Sequence, residues 1–256
     1  MYVITNRTPV YDEKAKYDRP EENSWHKIVN PEIDKLLKKH NVKTVLDLTC
    51  GTGGQVFWLA ERGYTVVGSD LSPVSIKFAR LRARRKGRRI KFLVGDMRTQ
   101  EVGKFGAVIT MFNAIGHLSK SGFDMAMRNV NDNLKDKGIY IFDIINAHQT
   151  AALNGIGIDL DITKEVDGTM MHKIQLCKIN PNSGVMTMEE VDCLWKDHRN
   201  LKVGKVIKWT MQTYSAAQLR KMLVRNGFKV LGQYALDGSK FSDKKTRDIL
   251  TIAQKT

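Results

Sequence analysis

The stretch Val45-Leu46-Asp47-Leu48-Thr49-Cys50-Gly51-Thr52-Gly53-Gly54 decides the fold. Its first four residues, 45–48, read as a short buried strand. The glycines that follow mark a tight turn, and residues 53–62 read as a helix closed by Gly63 in the position of a C-terminal glycine. A glycine-rich turn between strand and helix lets the backbone pass close to a ligand, and the helix start offers free N–H groups to an anion. Val56 stands where a dinucleotide fingerprint would place its third Gly or Ala, so Gly51 and Gly53 alone do not name the ligand.

Outward from this turn, short apolar runs alternate with amphipathic stretches. Residues 64–68, 90–94, 107–111 and 138–144 read as strands, with helices over 72–86, where Pro73 occupies the first turn, and over 121–134. Upstream, Trp25, Ile28, Val29, Ile33, Leu36 and Leu37 lie at helical spacing, so a helix starting at Asn23 or Ser24 covers the sheet. This is the pattern of a doubly wound α/β domain with a mainly parallel sheet. After Asn146 the pattern changes. Residues 159–214 offer strand-like runs at 162–166, 171–179 and 185–195, separated by turns at 167–168 and 180–184, and read as an antiparallel β insertion after strand five. A helix over 215–227 with a Ser cap and a Gly stop then leads to strands at 228–234 and 249–253, which complete a seven-stranded sheet. The chain therefore divides into an arm and covering helix (1–40), a Rossmann-like core (41–150), the insertion (151–214) and a C-terminal helix and hairpin (215–256).

Two further acids fall at predicted strand ends. Asp70 follows the second strand, where a carboxylate grips ribose hydroxyls. Asp96, in Gly95-Asp96-Met97-Arg98, follows the third and is placed to accept from an exocyclic amine, with Met97 against the base. Singly, each is as well explained as a helix cap or turn residue. Together with the glycine turn they indicate one nucleoside site at three successive strand ends.

On these motifs the chain resembles the class I S-adenosylmethionine-dependent methyltransferases over residues 42–145, and more loosely to the C-terminal hairpin. Thr49 departs from the Ala or Gly usual in their first motif. Gly95-Asp96-Met97-Arg98 and Met111-Phe112-Asn113-Ala114-Ile115-Gly116-His117-Leu118 look like segments of the small-molecule N-methyltransferases, the glycine and aminosugar N,N-dimethyl types, which also carry an antiparallel stretch after strand five. The resemblance implies S-adenosylmethionine as cofactor. It implies a cofactor site of Thr49, Gly51, Gly53, Asp70, Leu71, Asp96, Met97 and Met111. Tyr17 and Trp25 of the N-terminal arm, with Tyr11, would close over it, since aromatic faces attract a sulfonium. Trp25 equally begins an apolar helical stripe. Asn113 and His117 are the catalytic candidates facing the acceptor, with a helix-cap role as the alternative for His117.

Other chemistries lack their residues. No Asp/Asn-Pro-Pro-Tyr/Trp follows strand four to hold a flipped base, and no Pro-Cys pair stands there for attack on a pyrimidine. Cys50, Cys177 and Cys193 show no zinc or disulfide spacing, and the sequence predicts no metal. The N-terminus lacks an apolar stretch behind a basic start, and the reading is a cytoplasmic protein with no membrane partner.

The chain carries 42 Lys plus Arg against 27 Asp plus Glu, a formal net charge of +15. Such a surface attracts anions and favours an anionic small-molecule acceptor. Part of the excess lies in residues 77–91, which read either as a solvated helix end or as a nucleic-acid phosphate track. The leading expectation is methyl transfer to a small-molecule amine. The alternatives are an RNA methyltransferase using residues 80–91 and a catalytically silent cofactor-binding regulatory subunit. The insertion has the position of a substrate lid or of a contact in a homo-oligomer.

Overall fold

A computed structural model of the chain describes residues 24–152, 156–166, 169–196, 200–204 and 206–256. In chain order the main domain comprises α1 (Ser24–Lys39), β1 (Thr44–Asp47), α2 (Gly54–Ala60), β2 (Thr65–Asp70), α3 (Pro73–Arg85), β3 (Lys91–Val94) and β4 (Phe105–Thr110). A 3-10 turn (Ala114–His117), α4 (Lys120–Asn133) and β5 (Leu134–Ile145) follow. A short helix, α5 (Ala147–Ala152), leads to β6 (Ile156–Val166), β7 (Thr169–Ile179), β8 (Val185–Lys196), β9 (Asn200–Val203) and β10 (Ile207–Gln212). The chain returns through α6 (Ala216–Arg225), β11 (Phe228–Tyr234) and β12 (Asp248–Lys255).

Seven strands form one sheet in the order β11-β12-β5-β4-β1-β2-β3. Pairing is parallel from β5 through β3, while β12 runs antiparallel to both β5 and β11. Both faces are covered, so the strands read as continuous apolar runs whose alternate residues enter different cores. In β5, Tyr140, Phe142 and Ile144 pack with α4 and α6, whereas Ile139 and Ile141 pack with α1, α2 and α3. The ends of these helices are set locally. Ser72 accepts the Ser75 N–H at 3.0 Å ahead of Pro73, and Ser215 with Gln218 forms a capping box.

The expected elements recur with shifted ends. Strand five begins at Leu134, directly after α4: Leu134 pairs with Phe105, the register then shifts before Ile139 meets Ala107, and β12 joins only from Ile139 on. The second sheet is wholly antiparallel, in the order β10-β8-β7-β6 with β9 on β8. It adds the strands β9 and β10 and the helix α5 to what the sequence pattern showed. The 180–184 turn is closed by Asn180, whose Oδ1 accepts the Asn182 and Ser183 N–H groups at 3.0 and 3.2 Å, and by Gly184 at φ 72°. The 167–168 turn lies outside the described residues. A small apolar cluster of Ile179, Met186, Met188, Trp209 and Met211 joins this sheet to Ile145 and Ala147. No helix among the described residues is long and apolar enough to cross a membrane.

Candidate functional site at the strand ends

The parallel strands β1, β2 and β4 end at the same edge of the sheet, where a doubly wound fold opens its crevice. The loop after β1 is shaped by two left-handed glycines, Gly51 at φ 52° and Gly53 at φ 94°. Gly53 caps α2, and a side chain there would meet the Phe57 ring at 2.8 Å, whereas beside Gly51 there is open space. Asp70 fixes this loop. Its Oδ2 accepts the Gly51 N–H at 2.8 Å and its Oδ1 accepts the Ser72 N–H at 2.9 Å. Thr49, the departure from the usual Ala or Gly, has a definite role. Its Oγ1 accepts the Met111 N–H at 3.2 Å, tying the end of β1 to the end of β4.

Asp47 lies beneath this loop and was not singled out from the sequence. Its Oδ1 accepts the Thr49 N–H at 3.0 Å, and its Oδ2 is buried without a hydrogen-bond partner. Burial pushes its carboxyl up to about 8, and the neighbouring Asp70 adds to the rise. The same burial, with Asp47 and Asp70 nearby, holds the Cys50 thiol well above its ordinary range, so Cys50 is not a nucleophile.

Further along the edge, Leu71 is exposed beside Asp70. Asp96 forms a two-pronged pair with Arg98 at 2.6–3.0 Å and also accepts the Arg98 N–H at 2.9 Å. Any amine it receives shares a carboxylate that already serves this turn. Met97 and Met111 are both buried, at 8% and 2% exposure, in the two separate cores on either face of the sheet. Met97 packs in the core with Phe123 and Met127, and its carbonyl accepts from Asn129 Nδ2 at 3.0 Å.

Beyond β4, Phe112 and Asn113 are both left-handed, at φ 65° and 56°. The carboxyl of Asp143, on β5, receives the Asn113 N–H at Oδ2 over 3.1 Å, and the Phe112 N–H as well. Asn113 Nδ2 reaches Asp248 Oδ1 at 3.4 Å. The Phe112 ring stacks on Trp25 with centroids 3.7 Å apart and meets His26 edge-on. Trp25 is therefore drawn to this end of the sheet and also packs on the α1 core. Asn113 caps the 3-10 turn, its carbonyl accepting the Gly116 N–H at 2.9 Å, and the half-buried His117 ends that turn. Tyr11 and Tyr17 lie outside the described residues. Asp143 carries no local sequence signal, since its role depends on pairing with distant strands.

The basic stretch on α3 is partly turned inward. Arg80 donates to the Phe92 carbonyl at 2.7 Å and Arg82 to the Thr52 carbonyl at 3.1 Å, whereas Lys86 pairs with Glu61 on the surface at 3.3 Å. Arg84, Arg85, Arg88 and Arg89 are exposed.

Comparison with known proteins agrees with this architecture. Residues 45–138 match the methyltransferase domain family. The chain is 32% identical over 148 residues to a putative methyltransferase, YqeM, of Bacillus subtilis, covering 56% of this chain and 55% of that one. It is 34% identical over 113 residues to a glycine/sarcosine N-methyltransferase of Parasynechococcus marenigrum, covering 43% and 40%. The matched part spans about half the length of these relatives. In three dimensions it is similar to CalS10, an amino pentose methyltransferase from Micromonospora echinaspora, with a TM-score of 0.71 at 19% identity over 95% of this chain and 96% of that one. The domain match over residues 45–138, with the glycine loop and strand order that agree with it, identifies a methyltransferase domain in this part of the chain.

Proposed function

We propose that this protein transfers the methyl group of S-adenosylmethionine to an amine nitrogen of a small-molecule acceptor. The observation that carries the reading is the juxtaposition of Asp70 with the left-handed Gly51, which it holds by a hydrogen bond and which has open space beside it. A ligand bearing hydroxyl and ammonium donors fits that set. Asp70 stands at the end of β2 where a ribose would be held, and the buried Asp47 supports the loop from beneath through the Thr49 N–H. The cofactor supplies an electrophilic methyl on a sulfonium, so the residues' task is mainly to bind, orient and exclude water. An amine acceptor must also lose a proton, and His117, half-buried at the end of the 3-10 turn, is the candidate to take it.

The acceptor class draws support from the relatives named for glycine/sarcosine and amino pentose methylation. The net charge of +15 favours an anionic amine, such as a carboxylated or phosphorylated one. The hydrogen bonds of Arg80 and Arg82 to backbone carbonyls weigh against their serving as a phosphate track. The second sheet has the position of a substrate lid. Its strand β10 packs on the 3-10 turn, where a side chain at Gly116 would meet Met211 at 2.9 Å. The test is transfer of labelled methyl to small amines, nucleotide-sugars, total RNA and protein extract in parallel. Label in the small amines is expected, and label confined to RNA overturns the reading.

A further inference from the structure

We propose that Asp143 is a positioning residue for the acceptor side of the site, its buried carboxyl group clamping the left-handed Phe112–Asn113 turn and thereby setting both Asn113 and the Phe112 ring against Trp25. The inference rests on the methyltransferase reading only for which side of the crevice the acceptor occupies.

Two consecutive non-glycine residues in the left-handed region persist only where the surroundings over-determine them, and such strain gathers at functional sites. Here the restraint is visible. Asp143 is fully buried, it receives both the Asn113 and the Phe112 N–H groups, and β12 flanks it through the Leu250 register. Everything the turn presents follows from that anchor. The Phe112 side chain leaves the backbone to stack on Trp25, the Asn113 amide reaches Asp248, and the Asn113 carbonyl starts the 3-10 turn that carries His117. The carboxyl group reaches this turn from β5, and its Oδ1 is buried without a hydrogen-bond partner. The Oδ1 of Asn113 is likewise buried and without a hydrogen-bond partner, so the turn is shaped without saturating its own polar atoms.

The experiment compares Asp143→Ala with Asp143→Asn, whose amide oxygen still accepts the two N–H groups. Three quantities are read: kcat/KM for an amine acceptor, the calorimetric Kd for S-adenosylmethionine, and the near-ultraviolet dichroism of the Trp25–Phe112 stack, assigned with Trp25→Phe. The alanine variant is expected to lose at least about tenfold in kcat/KM and to lose the dichroic band, with Kd within about threefold, because the Asp70 loop is untouched. The asparagine variant should stay within about threefold of the parent in all three. Wild-type kcat/KM and dichroism in the alanine variant overturn the proposal. So does a Kd that rises by as large a factor as kcat/KM falls, or an asparagine variant as damaged as the alanine one. If the parent methylates no amine, the function reading fails by itself, and the dichroism and Kd still decide the clamp. If Asp143→Ala does not fold, the double variant Asp143→Ala/Asn113→Gly must recover its melting temperature, since glycine adopts the left-handed conformation unaided. Failure to recover it overturns the clamp.

Discussion

Asp70 and Gly51, nineteen residues apart, are joined by a 2.8 Å hydrogen bond from the glycine N–H to the carboxylate Oδ2. The same acid therefore shapes the loop and, in the function proposed above, also holds the ribose. Asp70→Ala removes both functions. Hydrogen bonds to a charged group are worth about 1.5–3 kcal/mol, so cofactor affinity should fall roughly ten- to a hundredfold. Asp70→Asn retains one acceptor oxygen and should fall less. Calorimetric titration checks both, and an unchanged Kd in a folded Asp70→Ala protein confines this acid to the loop.

Thr49 joins β1 to β4 through the Met111 N–H. Thr49→Val keeps the shape and removes the acceptor, leaving a buried N–H unpaired at a cost of about 1–3 kcal/mol. A fall of several degrees in Tm is expected, with Thr49→Ser restoring most of it. Equal melting of the valine and parent proteins shows that the hydroxyl carries no structural weight.

The parts of the site readable from the chain are those whose signal is local. Gly51 and Gly53 announce a turn because few residues accept their φ, and Asp70 follows directly from the end of a strand with a clear apolar run. Asp47 stood inside the quoted motif, yet nothing local shows that its Oδ2 is buried without a hydrogen-bond partner; that depends on how β2 and β4 close over β1. Asp143 acts on Asn113, thirty residues away, through the β4–β5 pairing, and Phe112 and Asn113 carry no glycine to betray their left-handed backbone. Arg82 looked like one more exposed cation until α3 was seen to lay it over Thr52 and the Phe57 ring.

Stability should fall as pH rises through the neutral range, with Asp47 as one cause. Its folded carboxyl is raised to about 8, above the ordinary 3.8. Between those values the folded protein holds a proton that the unfolded chain has lost, so unfolding becomes easier as pH rises and levels off above about 8. Burial raises Asp143 as well, in the same sense. Asp47→Asn still accepts the Thr49 N–H but cannot ionise, and its profile of Tm against pH should be flatter. An identical slope in both proteins means that Asp47 is ionised when folded.

His117 should act on turnover rather than on cofactor binding. His117→Ala is expected to lower kcat by about ten- to a hundredfold, as loss of a positioned proton acceptor does, with little change in the Kd for S-adenosylmethionine. Full turnover on an identified amine assigns His117 to capping its turn.

The cations of α3 should divide into two groups by what they touch. Arg82 donates to the Thr52 carbonyl at 3.1 Å and lies over Phe57, so it holds the loop that carries Gly51 and Gly53. Losing one such bond costs about 1 kcal/mol, so Arg82→Ala should weaken cofactor binding by roughly five- to tenfold. Arg84, Arg85, Arg88 and Arg89 are exposed, and replacing all four should leave amine methylation within about twofold, since solvated charges add little to stability. The contrast also discriminates between functions. A phosphate track would make RNA binding fall with salt at a log-log slope of about −0.7 for each single-strand contact, and removing the four arginines would flatten it. Filter binding across a salt series, run beside the steady-state assay, should show no such multi-contact slope. A steep slope that collapses in the quadruple variant would assign the exposed arginines to nucleic acid and set aside the small-molecule reading.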